Sequence, residues 1–280
     1  MTIKGDVRPK GEVTVKAAVL PKPGIWNRSH FLDKMSLREL VVAYFQYYAI
    51  QAYLVLTAVC AYIAWANPTT LVRGFVAAAF AVVVYPFAWY VLHRWVLHGR
   101  WMWRYPLLSP ARKRIQYDHH QDPNHLEGLF GALYTTLPTI VIATAPVGYL
   151  IGGIGGAAIA TAAGLLATCF YEFCHCIEHL NIKPKAKWLA EMKMRHMAHH
   201  FHDEDGNFGI TNFVPDRLFG TLYDRADRKA KSPTVFNLGY TEEVAKVYPW
   251  VANLSGGVIQ NSHPRQRAQA AANQDADRAA

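Results

Sequence analysis

Residues 129–171, LFGALYTTLPTIVIATAPVGYLIGGIGGAAIATAAGLLATCFY, run for 43 positions without an Asp, Glu, Lys or Arg. A helix needs only about 20 apolar residues to cross a bilayer. Two crossings therefore fit, and Gly152-Gly153-Ile154-Gly155-Gly156 near the middle supplies the turn between them. Two further uncharged runs occupy 41–66 (VVAYFQYYAIQAYLVLTAVCAYIAWA) and 74–92 (GFVAAAFAVVVYPFAWYVL). Together they predict an all-α integral membrane protein with four transmembrane helices in two hairpins, since only helices and closed barrels satisfy their backbone inside lipid. Buried helices of a large soluble core are the alternative, but such helices seldom stay charge-free for so long.

The composition agrees: 52% of the 280 residues are hydrophobic and only 18% charged, against about 25% charged in ordinary globular chains. Residues 1–40 mix charges of both signs and do not resemble a cleaved signal peptide. Ser36-Leu37-Arg38-Glu39 has the form of a capping box just ahead of the first membrane helix, which is expected to end near Asn67-Pro68. The domain reading is a polar segment over 1–40, a membrane domain over 41–230, and a C-terminal segment over 231–280 that is disordered from about 261.

The net charge of +9 is uneven. Arg94, Arg100, Arg104, Arg112, Lys113 and Arg114 lie between the second and third apolar segments, whereas the preceding connection holds only Arg73. By the positive-inside rule both termini and the histidine-rich segments are cytoplasmic, and a bacterial inner membrane is preferred to the endoplasmic reticulum. Because these cations flank membrane segments, nucleic acid is not expected as a partner. The four cysteines, Cys60, Cys169, Cys174 and Cys176, lie in or beside apolar segments without framework spacing and are expected to be reduced. Cys174 and Cys176 project from different faces of a helix, which argues against a thiolate metal site.

Eleven of the 13 histidines fall in four groups. His196, His199 and His200 stand at i, i+3 and i+4, on one helix face, with His202 just beyond. His175 and His179 are likewise one turn apart, at the end of the fourth apolar segment, where ionisable groups are costly and usually functional. His93 and His98 are separated by about 140° on a regular α-helix, so both reach one centre only if the helix ends or is distorted there. The bland reading for that pair is an interfacial histidine among tryptophans. Gln116, His119, His120 and His125 lie in the basic connection. All four groups fall on one predicted side of the membrane. Eleven ligands exceed the roughly four a zinc ion takes; a two-metal centre fits, and nearly all-imidazole ligation suits iron better than magnesium or calcium.

In this order (His93-x4-His98; His119-His120; His175-x3-His179; His196-x2-His199-His200), threaded through four apolar helices, the motifs resemble the fatty acid hydroxylase and sterol desaturase superfamily of membrane di-iron enzymes. The passage Asn207-Phe208-Gly209-Ile210-Thr211, followed by Asp216-Arg217-Leu218-Phe219-Gly220, is similar to the family's segment after its last histidine group. The resemblance spans roughly residues 85–225 and is specific in combination only. It implies two iron ions held by those nine histidines in a cytoplasmic helical cap. It departs from the family at Gln116, which stands where the second group usually begins with histidine. Either Gln116 serves one metal, or His125 or His202 replaces the missing imidazole, or one iron is more open.

The activity so implied is hydroxylation of an unactivated C–H bond in a fatty acyl chain or polar lipid, with O₂ as co-substrate. Electrons would come from a separate donor, a ferredoxin or a cytochrome b5 type protein with its reductase, for which the basic run is a docking candidate. Asp118, Glu172, Glu178 and Asp203 lie beside ligand histidines, and one or two of them are expected to fix an imidazole tautomer. Sterol or carotenoid hydroxylation or desaturation shares the same histidine pattern. A membrane metal transporter or sensor is the rival of another class, but it would be expected to carry ionisable ligands midway through its helices, and these helix centres have none.

Overall fold

A computed structural model of the chain describes residues 30–225, 227, 230–258 and 261–279, and most of the expected N-terminal segment lies outside that range. The Ser36 side chain accepts from Glu39 N–H at 3.3 Å, while the Glu39 carboxylate accepts from Ser36 N–H at 2.8 Å. This completed capping box starts α1 (Leu37–Gln46). At Tyr47 the backbone turns extended (ψ 128°), and α2 (Tyr48–Ala66) begins. The first apolar run is therefore two helices, not one. Tertiary contacts impose the break: the Tyr47 ring stacks on Phe130 at 4.1 Å, and the Tyr44 hydroxyl donates to the Cys169 carbonyl.

Helix α2 ends as expected at Asn67, and Thr70 caps α3 (Leu71–Val91) by accepting from Arg73 N–H. Helix α4 (Leu133–His179) contains the predicted turn. Gly152 and Gly153 leave helical geometry there, and Gly153 takes φ 64°, ψ −150°, a region only glycine enters without strain. The chain doubles back at this point. Thr144 Oγ1 bonds Thr161 Oγ1 at 3.3 Å, whereas 17 residues of straight helix would separate them by about 25 Å. Gly148 and Gly156 meet back to back, and a Cβ on either would collide with the carbonyl oxygen of the other. The two limbs of α4 are thus antiparallel, over 133–151 and 154–179.

Among the described residues, three helical stretches are long and apolar enough to cross a membrane: Tyr48–Ala66, Leu71–Leu97 and Leu126–His179, the last containing the reversal. Helices α2 and α3 both pack on α4, with Ala77, Ala81 and Ala160 in close contact. Their outer faces leave Val55, Tyr62, Trp65, Phe75 and Leu150 exposed, an apolar girdle that water would not tolerate but lipid does. The turns at Asn67–Thr69 and Gly152–Gly155 touch at one end of the bundle. All four histidine groups lie at the other.

Helix α5 (Lys187–Phe201) packs across the end of α4, and the short α6 (Val214–Leu218) contacts α3. Beyond residue 230, Tyr240, Ala245 and Val251 form a small core with Trp103 and Tyr117. Residues 264–279 form helix α7 rather than the irregular tail expected from their polarity; the alanine-rich run favours helix locally without needing an apolar face to bury.

Candidate metal centre

The His93–His98 spacing is resolved by the backbone. Helix α3 continues into a π-helical turn over Leu92–Leu97, where His98 N–H donates to the His93 carbonyl at 2.9 Å. The wider turn returns i and i+5 to one face, and the two rings lie 4.9 Å apart. A second π-helical turn, Lys113–Tyr117, leads into the helical turn Asp118–Gln121 that carries His119 and His120. His175 and His179 stack on the last turns of α4, and α5 presents His196, His199 and His200.

These side chains converge in two groups. Ligand nitrogens of His119, His175, His179, His196 and His200 all lie within 4.8 Å of one another, as do those of His93, His98 and His199. His120 joins His199 and His200 in a third such set, so the groups are contiguous. Its ring is 4.3 Å from that of His200, 4.9 Å from that of His98 and 5.0 Å from that of His199, so it bridges the two groups. Gln116 adjoins the second group, its terminal amide nitrogen 2.7 Å from His98 Nε2 and 3.2 Å from His93 Nε2. The amide's two ends are interchangeable by rotation, so its oxygen can face the same point. The nine histidines and Gln116 thus form one contiguous cluster of donors with two lobes.

The donor atoms fit metal ions. Buried ring nitrogens of His119, His120, His175, His179, His196, His199 and His200 have no hydrogen-bond partner among the described residues. Such groups cost about 1–3 kcal/mol each when left unpaired. Three tautomers are set by backbone carbonyls: Nδ1–H donates from His93 to Phe208 at 2.6 Å, from His120 to Val235 at 3.0 Å and from His199 to Gly206 at 2.8 Å. Each ring then turns an Nε2 lone pair inward. Neighbouring donors at 2.7–3.2 Å, including His179 Nε2 and His196 Nε2 at 2.8 Å, match adjacent positions around one ion, about 3 Å apart for bonds of about 2.1 Å. Burial, then the neighbouring imidazoles, holds His98, His119, His196 and His199 well below the ordinary imidazole range, keeping them neutral and able to ligate.

The expected carboxylates divide. Glu178 and His196 are both buried, with Glu178 Oε2 3.8 Å from His196 Nδ1. Glu172 accepts from Gly131 N–H at 3.3 Å and lines a small cavity beside Gln116, His119 and His175. Asp118 instead pairs with Lys113 at 2.7 Å, and Asp203 accepts from Asp205 N–H within its own turn. His125 stands 3.2 Å from Glu127 and against the Phe31 ring, outside both groups. His202 is buried near Tyr223 and also belongs to neither.

Within the basic run, Arg94 donates to Tyr90 Oη, Arg112 lies fully buried over Trp103, Lys113 pairs with Asp118 and Arg114 donates to the Glu127 carbonyl, while Arg100 and Arg104 are exposed.

Asp216 was not expected at the site. Its buried carboxylate accepts from Phe208 N–H (2.8 Å), Gly209 N–H (2.7 Å) and Thr221 Oγ1 (2.7 Å), and so holds the segment whose carbonyl orients His93. Its place in the Asp216–Gly220 passage was the one signal in the sequence. The carbonyls of Gly206, Phe208 and Val235 left none.

Apolar helices of membrane-crossing length that end in two adjoining groups of imidazoles define a histidine-rich membrane protein whose clustered nitrogens could hold metal. Residues 78–221, just over half the chain, match the family described as "Fatty acid hydroxylase". The chain belongs to the fatty acid hydroxylase family. It is 31% identical over 154 residues to dihydroceramide fatty acyl 2-hydroxylase FAH1 of Arabidopsis thaliana, a match covering 50% of this chain and 58% of that one. To fatty acid 2-hydroxylase of Rattus norvegicus it is 36% identical over 74 residues, 26% of this chain and 20% of the relative. These matches span well under two thirds of the relatives' lengths. Among solved structures, "Full length scs7p (only hydroxylase domain visible)" shares the fold with a TM-score of 0.50 and 22% identity, over 72% of this chain and 71% of that one. Both named relatives are eukaryotic, so the comparison lends no support to a bacterial inner membrane.

Proposed function

We propose that this protein is an oxidoreductase that hydroxylates an unactivated C–H bond of a membrane lipid, with two iron ions held by His93, His98, His119, His120, His175, His179, His196, His199, His200 and Gln116. The observation that carries this reading is the pair of contiguous donor groups with inward lone pairs. Neutral nitrogen donors favour a transition metal over magnesium or calcium. When bound, a pair of irons supplies O₂ activation by one-electron steps, with electrons delivered by a separate donor of the ferredoxin or cytochrome b5 type. The chain's own residues do the rest. Backbone carbonyls orient His93, His120 and His199; helix α5 covers the histidines and excludes water; the cavity beside Glu172 leaves room for the reacting carbon.

The two limbs of α4 support four crossings rather than three, since 133–151 and 154–179 each reach about 28 Å or more. The excess of cations at the histidine end supports a cytoplasmic centre. The plant relative is a dihydroceramide fatty acyl 2-hydroxylase and the rat relative a fatty acid 2-hydroxylase, so an acyl chain of a ceramide-like polar lipid is the first substrate class to test. No ionisable side chain interrupts the described helix centres, which disfavours a transporter.

The test is lipid mass spectrometry of a host making the wild type or His199→Ala, with metal analysis of both proteins. A lipid heavier by one oxygen that requires His199 is expected, along with two irons per wild-type chain. Loss of two hydrogens would mean desaturation; no altered lipid across hosts containing free fatty acids, ceramides and sterols would refute the reading.

A further inference from the structure

An apolar groove runs between α3 and the first limb of α4, and one residue, Trp89, lines both it and the metal cavity. Ala81, Tyr85 and Leu92 line it from α3, and Thr136, Ile140 and Thr144 from the limb. From Leu92 at the histidine end to Ala81 it is about 16 Å long, close to half the roughly 30 Å hydrocarbon core. Tyr85, Leu92 and Trp89 are only half-buried, so the groove opens sideways toward lipid along its length. Its far end is closed, where Ala77, Ala81 and Ala160 pack together and Thr144 bonds Thr161.

The threonines do not make this groove polar. Thr136 donates to Ala132, Thr139 to Thr135 and Thr144 to Ile140, each to a carbonyl of its own helix. The walls present methyls and rings, with no charged residue among them, and the unpartnered Nε1–H of Trp89 stands at the histidine end. Beyond Trp89 a headgroup would be desolvated without a partner, whereas a hydrocarbon chain would lose nothing.

We propose that this groove holds the acyl chain of the substrate, with its reacting end at Trp89 and its methyl end toward Ala81 and Thr144, so that the closed end sets the chain length accepted. The proposal rests on the lipid-hydroxylase reading for its substrate and, for its direction, on Trp89 and Leu92 standing at the histidine end of the groove. A chain lying in one leaflet would enter sideways between the helices and be measured against the closed end.

Ala143 lines the far part of the groove and is half-buried, so Ala143→Phe fills that part without opening a packed contact. Val83→Phe is the control, since Val83 is 64% exposed and does not line the groove. Ala88→Phe obstructs the groove nearer its mouth. In full-length protein reconstituted in nanodiscs, a polar lipid carrying a diazirine at its acyl methyl end should cross-link to residues 81–84 or 143–144, and Ala143→Phe should remove those adducts while Val83→Phe keeps them. The ratio of long-chain to short-chain hydroxylated product should fall roughly tenfold or more in Ala143→Phe, the scale on which a hydrophobic pocket discriminates by size; Ala88→Phe should lower product of every length. Adducts spread equally over the outer faces of α2 and α3, or a product distribution in Ala143→Phe equal to that of Val83→Phe, would overturn the proposal. Groove adducts in a protein that yields no hydroxylated lipid would uphold the groove and refute the hydroxylase reading.

Discussion

Replacing Asp216 with Asn should release one metal and leave the other. Asp216 is fully buried, and its two carboxylate oxygens accept from two backbone N–H groups and the Thr221 hydroxyl. Asn keeps a single oxygen, so either Phe208 N–H or Gly209 N–H is left facing an NH₂ group. An unpaired buried donor costs about 1–3 kcal/mol, and the surviving bonds lose their charge assistance, giving about 2–4 kcal/mol in all. The Phe208 carbonyl that orients His93 belongs to the loosened segment. Disturbing the residue that holds a ligand imidazole typically weakens metal affinity about 10- to 100-fold. The loss should be local, because the Phe208 ring packs on His93, His98 and His199, all of the second group. Metal analysis after a chelator challenge, with a thermal scan on the same sample, reads both effects. Occupancy near one metal per chain and a lower midpoint are expected. Full occupancy at an unchanged midpoint, or equal loss of both metals from a protein that remains folded, would refute this account of how His93 is held.

Gln116→His places an imidazole nitrogen at the same reach beside His93 and His98, so metal occupancy should hold or rise in metal analysis; a folded variant that loses metal would contradict Gln116 as a donor. His125→Ala removes a side chain that faces Glu127 rather than either group, and should leave metal content unchanged, with a stability cost of no more than about 1 kcal/mol. Gly148→Leu drives a side chain into the Gly156 carbonyl and Ala160, which should destabilise the paired limbs by about 1–3 kcal/mol in a detergent unfolding titration; an unchanged midpoint would argue against the tight reversal.

Much of the frame was legible because it rests on local composition. Long charge-free runs partition into lipid whatever their neighbours do, and the glycines at 152–153 and the Ser36–Glu39 box act within a few residues of chain. The histidine groups were equally plain, since i, i+3 and i+4 spacing survives any packing of a helix. Where interactions cross the chain, the residues alone were silent or misleading. Asp118 adjoins a histidine in sequence yet pairs with Lys113, and Arg112 of the basic run lies buried over Trp103.

By itself, the sequence determined an all-helical membrane chain with histidines gathered at one end. Packing across the chain sets Gln116 beside His93 and His98 while His125 and His202 stand apart, and a π-helical turn brings His93 and His98 together. The reason is physical. Apolarity and helical periodicity are carried by side chains and can be read in order. The carbonyls of Gly206, Phe208 and Val235 that aim the imidazoles are the same chemical group at every residue, and only packing selects which of them meets a histidine.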